Sequence, residues 1–207
     1  MFYDTAKNDH GLPRDPFKAI VAPRPIGWIS SMSAKGEINL APYSFFNAVS
    51  DDPPIVMFAS DGPKDSIIFI EETREFVCNL ATFNLRHAVV HTGIEFPRGV
   101  DEMKEAGLLS APSRLVRVPR VAASPCAMEC KLLQIVPLAG LDGASHRIVV
   151  FGKVVGIHID DRFLNEGRLD TVAMRPLARC GYADYSVLDN VFQMSRQPVA
   201  AKPQAAE

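Results

Sequence analysis

The sequence has little cysteine, no long apolar run and almost no excess charge. Its 207 residues hold four cysteines, Cys78, Cys126, Cys130 and Cys180. These are too few and too scattered for a disulfide framework. Cys126 and Cys130 stand four apart, not in the C-x-x-C spacing of zinc or redox sites, so reduced, non-catalytic thiols are expected. No stretch approaches the roughly 18–20 apolar residues of a membrane helix. The start, MFYDTAKNDHGLPRD, lacks an apolar signal core. A cytoplasmic chain without membrane contact is therefore expected. The formal net charge of −2 leaves no basic face for nucleic acid. There is no G-x-G-x-x-G, Walker loop, G-x-S-x-G or H-E-x-x-H. This removes Rossmann, NTPase, α/β-hydrolase and zinc-peptidase readings at the motif level.

What is present is core material, at 47% hydrophobic residues, arranged mostly as short apolar or alternating segments. Strands are predicted over Lys18–Ala22, Gly27–Met32, Tyr43–Val49, Ile55–Ser60, Glu75–Leu80, Ala127–Val136 and Arg147–Ile159. Prolines and glycines punctuate them. Three short helices are predicted. One begins at an Asp65 or Ser66 cap, one covers Asn84–Thr92, and one covers Asp101–Ala106. The proline-bearing Ser110–Pro125 stretch reads as extended. Many strands, few helices and no βαβ alternation predict a mainly β fold, a β-barrel with a few short helices. One domain is expected over residues 1–196, followed by a disordered tail at 197–207.

The informative stretch is Arg24–Ser66, RPIGWISSMSAKGEINLAPYSFFNAVSDDPPIVMFASDGPKDS. Arg24-Pro25, Ser30-Ser31, Gly36, Asn39, Ala41-Pro42, Ser44, Phe46, Asp52-Pro53-Pro54 and Lys64-Asp65-Ser66 follow in order. In that pattern the chain resembles the flavin reductase-like family. A later R-x-G-x-x-x-Y element, Arg179, Gly181 and Tyr185, is similar to a second family signature. The resemblance implies an FMN-binding split barrel of Greek-key type that works as a homodimer. It also implies FMN as cofactor, NADH or NADPH as co-substrate, and an acceptor or oxygenase partner for the reduced flavin.

The residues suit such a ligand physically. A phosphate fits Lys64, the Ser66 hydroxyl and the free N–H groups where a helix starts at Asp65. A flat ring with a polar edge fits Ser30, Ser31 and Met32 on one strand. Asn39, Ala41 and Ser44 would face them across a hairpin turned at Lys35-Gly36. By resemblance Ser60 joins the set. Each residue also has a plainer reading: Asp65-Ser66 as a cap, Lys64 as solvated, Asn39 as turn-flanking, Ser44 as a surface serine. Arg24, held extended before a proline, either reaches the phosphate or ribityl chain or lies on the surface. Trp28 reads as a core or dimer-interface residue. His87 and His91 have zinc-like spacing but no third ligand, so no metal is expected. His146 either orients a nicotinamide, as the resemblance implies, or is an ordinary loop histidine. Three functions stay open: an NAD(P)H-dependent flavin reductase, an FMN-holding electron carrier, and a flavin-free barrel.

Overall fold

The computed structural model describes residues 1–141, 143 and 146–195. The tail expected at 197–207 lies outside the described residues. In chain order the elements begin with α1 (Phe17–Ile20), β1 (Arg24–Pro25), β2 (Gly27–Met32), β3 (Ile38–Tyr43), β4 (Phe46–Asp51) and β5 (Pro54–Asp61). Then come α2 (Asp65–Thr73), β6 (Glu75–Leu80), α3 (Arg86–His91), α4 (Glu102–Glu105), β7 (Ser110–Ala111) and β8 (Arg120–Val121). The chain continues through β9 (Cys126–Pro137), β10 (Arg147–Ile159), β11 (Leu164–Asn165), β12 (Arg168–Leu169), α5 (Thr171–Met174), β13 (Leu177–Arg179) and β14 (Tyr185–Val187).

Seven strands form one antiparallel sheet in the order β3-β2-β6-β9-β10-β5-β4. Alternation along β2 explains why both of its faces are buried. Ile29 points into one apolar cluster and Trp28 into another. The first cluster draws on β2, β3, β5, β6, β9 and β10 at once. Tyr43 on β3 and Phe58 on β5 stack with ring centroids 4.6 Å apart, although four strands separate them in the sheet order. The sheet is therefore rolled up around this cluster as a barrel. Ile67 and Ile70 of α2 close the seam beside β2 and β3. The second cluster lies outside, where Val89 of α3 and Met103 of α4 cover Trp28 and Leu40. The Trp28 indole N–H donates to Thr92 Oγ1 at 2.9 Å. Trp28 is thus a satisfied core residue. Each large side chain buried this fully stabilises by about 1.5–3 kcal/mol.

Three differences from the sequence reading have clear causes. Lys18–Ala22 is not a strand. Residues 17–20 form one helical turn, with the Asp15 carboxylate accepting from the Phe17 N–H. Phe17 and Ile20 are exposed there, so no sheet neighbour rewards extension. The expected strand Tyr43–Val49 is broken at Ser44–Phe45. Its two halves go to opposite edges of the sheet, β3 and β4. The residue preceding the first turn of α2 is Lys64, and no side chain caps that end. Beside the large sheet, β1, β13 and β14 form a small one that pairs Arg24 with Arg179.

Candidate functional site

The barrel seam opens into a cleft of about 590 Å³, a usual size for a small-molecule site. Its walls are β3 and the Ser44–Phe45 bend, the end of β5 at Asp61, and the start of α2. The loop 92–98 after α3, Glu102 of α4 and Arg147 of β10 complete it. Strand alternation turns Asn39, Ala41 and Tyr43 to the same side of β3.

A buried hydrogen-bonded chain runs along this wall. Glu102, only 7% exposed, accepts from Asn39 Nδ2 at 2.8 Å and from the Leu40 N–H at 3.0 Å. The carboxylate thereby fixes the amide orientation, leaving Asn39 Oδ1 to accept from the Ser66 hydroxyl at 2.5 Å. Burial holds the Glu102 carboxyl above its ordinary pKa, although these N–H donors oppose the shift. The Ser60 hydroxyl donates to the Gly62 carbonyl at 2.9 Å. Close to the Ser60 and Ser66 hydroxyls lies the Tyr43 hydroxyl, buried and without a hydrogen bond of normal distance and angle.

The mouth carries cations that pair with carboxylates at the same rim. Lys64 pairs with Glu95 at 2.8 Å, Arg98 with Asp65 at 2.8 Å, and Arg147 with Asp61 at 3.2 Å. The bond to Glu95 raises the Lys64 pKa. Glu95 and Asp61 are themselves well exposed, so both can yield their place to an incoming anion at low cost. The Ile67 and Ile68 N–H groups of α2 already donate to the Lys64 carbonyl, so the N–H groups of Asp65 and Ser66 are those left at the helix start, and both residues line the cleft.

Of the residues singled out in the sequence, Asn39, Ala41, Ser44, Lys64, Asp65 and Ser66 meet on this cleft. Ser60 stands just behind, beside Tyr43. The others do not line it. The Ser30 hydroxyl donates to the Pro119 carbonyl at 2.7 Å, and Ser31 faces Asn39 Oδ1 at 3.5 Å; both serines are fully buried. Met32 packs under Val77 and Val118 on the outer face. Arg24 is neither on the surface nor at the cleft. Its guanidinium donates to the carbonyls of Lys18, Val21 and Cys180, tying α1 to the turn before β14. Arg179 and Tyr185 stack in that same small sheet, 4.4 Å from guanidinium carbon to ring centroid. His146 is exposed just outside the cleft, its carbonyl accepting from the Gly62 N–H at 2.7 Å. Tyr43, Arg98, Glu102 and Arg147 were missed. Tyr43 lies inside the quoted A-P-Y-S run, whereas the other three are brought in from afar by folding.

The model of the flavin reductase like domain matches residues 21–177, which hold every residue lining the cleft except Lys18. The chain belongs to the flavin reductase like family. That membership makes it a flavin-related oxidoreductase. This flavin reductase-like chain is similar in structure to nitrilotriacetate monooxygenase component B from Bacillus cereus. The TM-score is 0.84 at 26% identity, covering 94% of this chain and 98% of that one. It is also similar to 2-nitrobenzoate 2-nitroreductase from Pseudomonas fluorescens, at TM-score 0.83 and 28% identity, with 97% and 100% covered. A split barrel domain protein from Shewanella frigidimarina shares the fold, at TM-score 0.81 and 19% identity over 97% and 100%. The fold is a split barrel. Among the described residues, no helix is long and apolar enough to cross a membrane.

Proposed function

We propose that the cleft binds FMN and that the protein is an NAD(P)H-dependent flavin reductase. Reduced flavin or its electrons would pass to an acceptor such as a partner oxygenase. The observation that carries the reading is the meeting of Lys64, the open start of α2 and the polar β3 edge in one cleft of suitable size. The phosphate lies against Lys64 and the N–H groups of Asp65 and Ser66. The ring edge lies along Ala41–Ser44, where backbone groups and a small hydroxyl leave room for a flat body. FMN supplies the hydride and electron chemistry when bound, so the chain needs no nucleophile or acid–base dyad. Its own residues bind, orient and screen. His146, exposed next to Arg147 at the rim, is assigned to orient the nicotinamide.

The likeness to an oxygenase component supports the oxygenase partner. The protein is assigned to the cytoplasm and to a homodimer. Titration of the purified protein with FMN tests the cofactor, and oxidation of NADH or NADPH with added FMN tests the reductase. Saturable uptake with nicotinamide turnover is expected. Uptake without turnover by either nicotinamide leaves only an electron carrier, and no uptake ends the reading. Lys64→Gln should weaken FMN about 3- to 10-fold and leave riboflavin, which lacks the phosphate, unchanged.

A further inference from the structure

Resting on the FMN reading, we propose that the Tyr43 hydroxyl is a ligand-binding group that donates a hydrogen bond to the phosphate end of bound FMN. Among the described residues, three buried side-chain atoms lack a hydrogen-bond partner: Arg24 Nε, Arg120 Nε and Tyr43 Oη. Only Tyr43 lines the cleft. Its side chain is 8% exposed and its ring is fixed against Phe58, so the hydroxyl cannot swing out to water. Native structures leave few buried donors unpaired, because an unmade hydrogen bond keeps the full desolvation penalty.

Neither neighbouring serine has a proton to give the phenol. Ser66 commits its proton to Asn39 and Ser60 commits its proton to Gly62. Neither makes a bond of normal geometry with the phenol. The commitment of Ser66 also changes its expected role. With its proton held by Asn39, Ser66 offers a phosphate only an acceptor, so a donor must come from elsewhere. Tyr43 has that donor. Burial keeps the phenol neutral by raising its pKa, against the smaller opposing pull of Ser66, Ser60 and Lys64. Its surroundings also fix which end of the ligand it meets. Ser66, at the helix start, and Lys64, which precedes it, make up the proposed phosphate pocket.

The test compares wild type with Tyr43→Phe, which deletes one oxygen and nothing else. FMN and riboflavin are titrated into each, with affinity read from quenching of flavin fluorescence. FMN should bind about 10- to 100-fold more weakly to the variant, with riboflavin affinity unchanged within about twofold. The ligand-free variant should melt at or above the wild-type temperature, because the lost hydroxyl had no partner. Unchanged FMN affinity in a variant of a flavin-binding wild type overturns the assignment and leaves the FMN reading standing. Equal weakening of both ligands, or a lower melting temperature of the ligand-free variant, also overturns it. A wild type that takes up neither ligand overturns the FMN reading and this assignment together.

Discussion

Glu129 and Glu102 are both buried carboxylates, yet their environments drive them in opposite directions. Glu129 is 1% exposed and accepts from the backbone N–H groups of Arg114, Leu115 and Val116 at 2.8, 2.6 and 3.0 Å. His158 Nε2 lies 2.5 Å from its Oε1. Burial pushes this carboxyl up, but the four partners together outweigh it and the net direction is down. Glu102 has fewer N–H partners, and there burial wins. The signs follow. Glu129 contributes stability that is complete above the ordinary carboxylate range and is lost as pH falls through its depressed value. Glu102 contributes most when protonated, and less as pH rises through its raised value. Glu129→Gln keeps the shape but sets an NH₂ against backbone donors. It should cost about 2–4 kcal/mol at pH 7 in urea unfolding. The gap to wild type should narrow on acidification through about pH 4.3, where the wild-type carboxylate is half protonated in the unfolded chain. A gap that stays constant with pH would show that charge on Glu129 plays no part.

At the scale of elements, the strands that could be read from sequence are those whose pattern agrees with their surroundings. Gly27–Met32, Glu75–Leu80 and Arg147–Ile159 are strands over the residues expected. Each is an apolar or alternating run bounded by breakers. The bend at Ser44–Phe45 carries no glycine or proline of its own, so nothing local announces that β3 and β4 part company there. The turn at Phe17–Ile20 is too short for period to separate helix from strand. The same logic divides the site. Asn39, Ala41, Ser44 and Lys64–Ser66 are contiguous enough to be read as a pattern. Arg98, Glu102 and Arg147 reach the cleft only through long-range packing. The second motif has a packing explanation that its letters do not disclose. A Cβ on Gly181 would stand 2.4 Å from Ala19 Cβ and 2.7 Å from Ala19 Cα. Gly181 is therefore required by the seat of α1, which also brings Lys18 to the cleft rim. Gly181→Ala must push α1 away, and should cost about 1–3 kcal/mol. That corresponds to roughly 2–10 °C in melting temperature for a chain of this size. A variant that melts with wild type would mean that α1 is not held there.

The whole molecule is a sheet rolled until its two ends nearly meet, with α2 filling the seam. Residues from β3, α2, the 92–98 loop, α4 and β10 face one another only because of that roll. A ligand in the cleft touches elements far apart in sequence, and the unfolded chain cannot reproduce the arrangement. Binding must then stabilise the fold by mass action, by about 2.7 kcal/mol when free ligand stands at 100 times its Kd. For about 200 residues this is a rise of roughly 5–10 °C in melting temperature. FMN should produce that rise, and riboflavin at the same concentration a smaller one, because it lacks the group that Lys64 and the α2 terminus are proposed to hold. The difference between the two should shrink as salt goes from about 0.05 to 0.5 M. Lys64 is about half exposed, and its attraction is screened over roughly 10 Å at 0.1 M. If FMN and riboflavin raise the melting temperature equally at every ionic strength, the cleft does not read a phosphate. The charge placed at its mouth then needs another explanation.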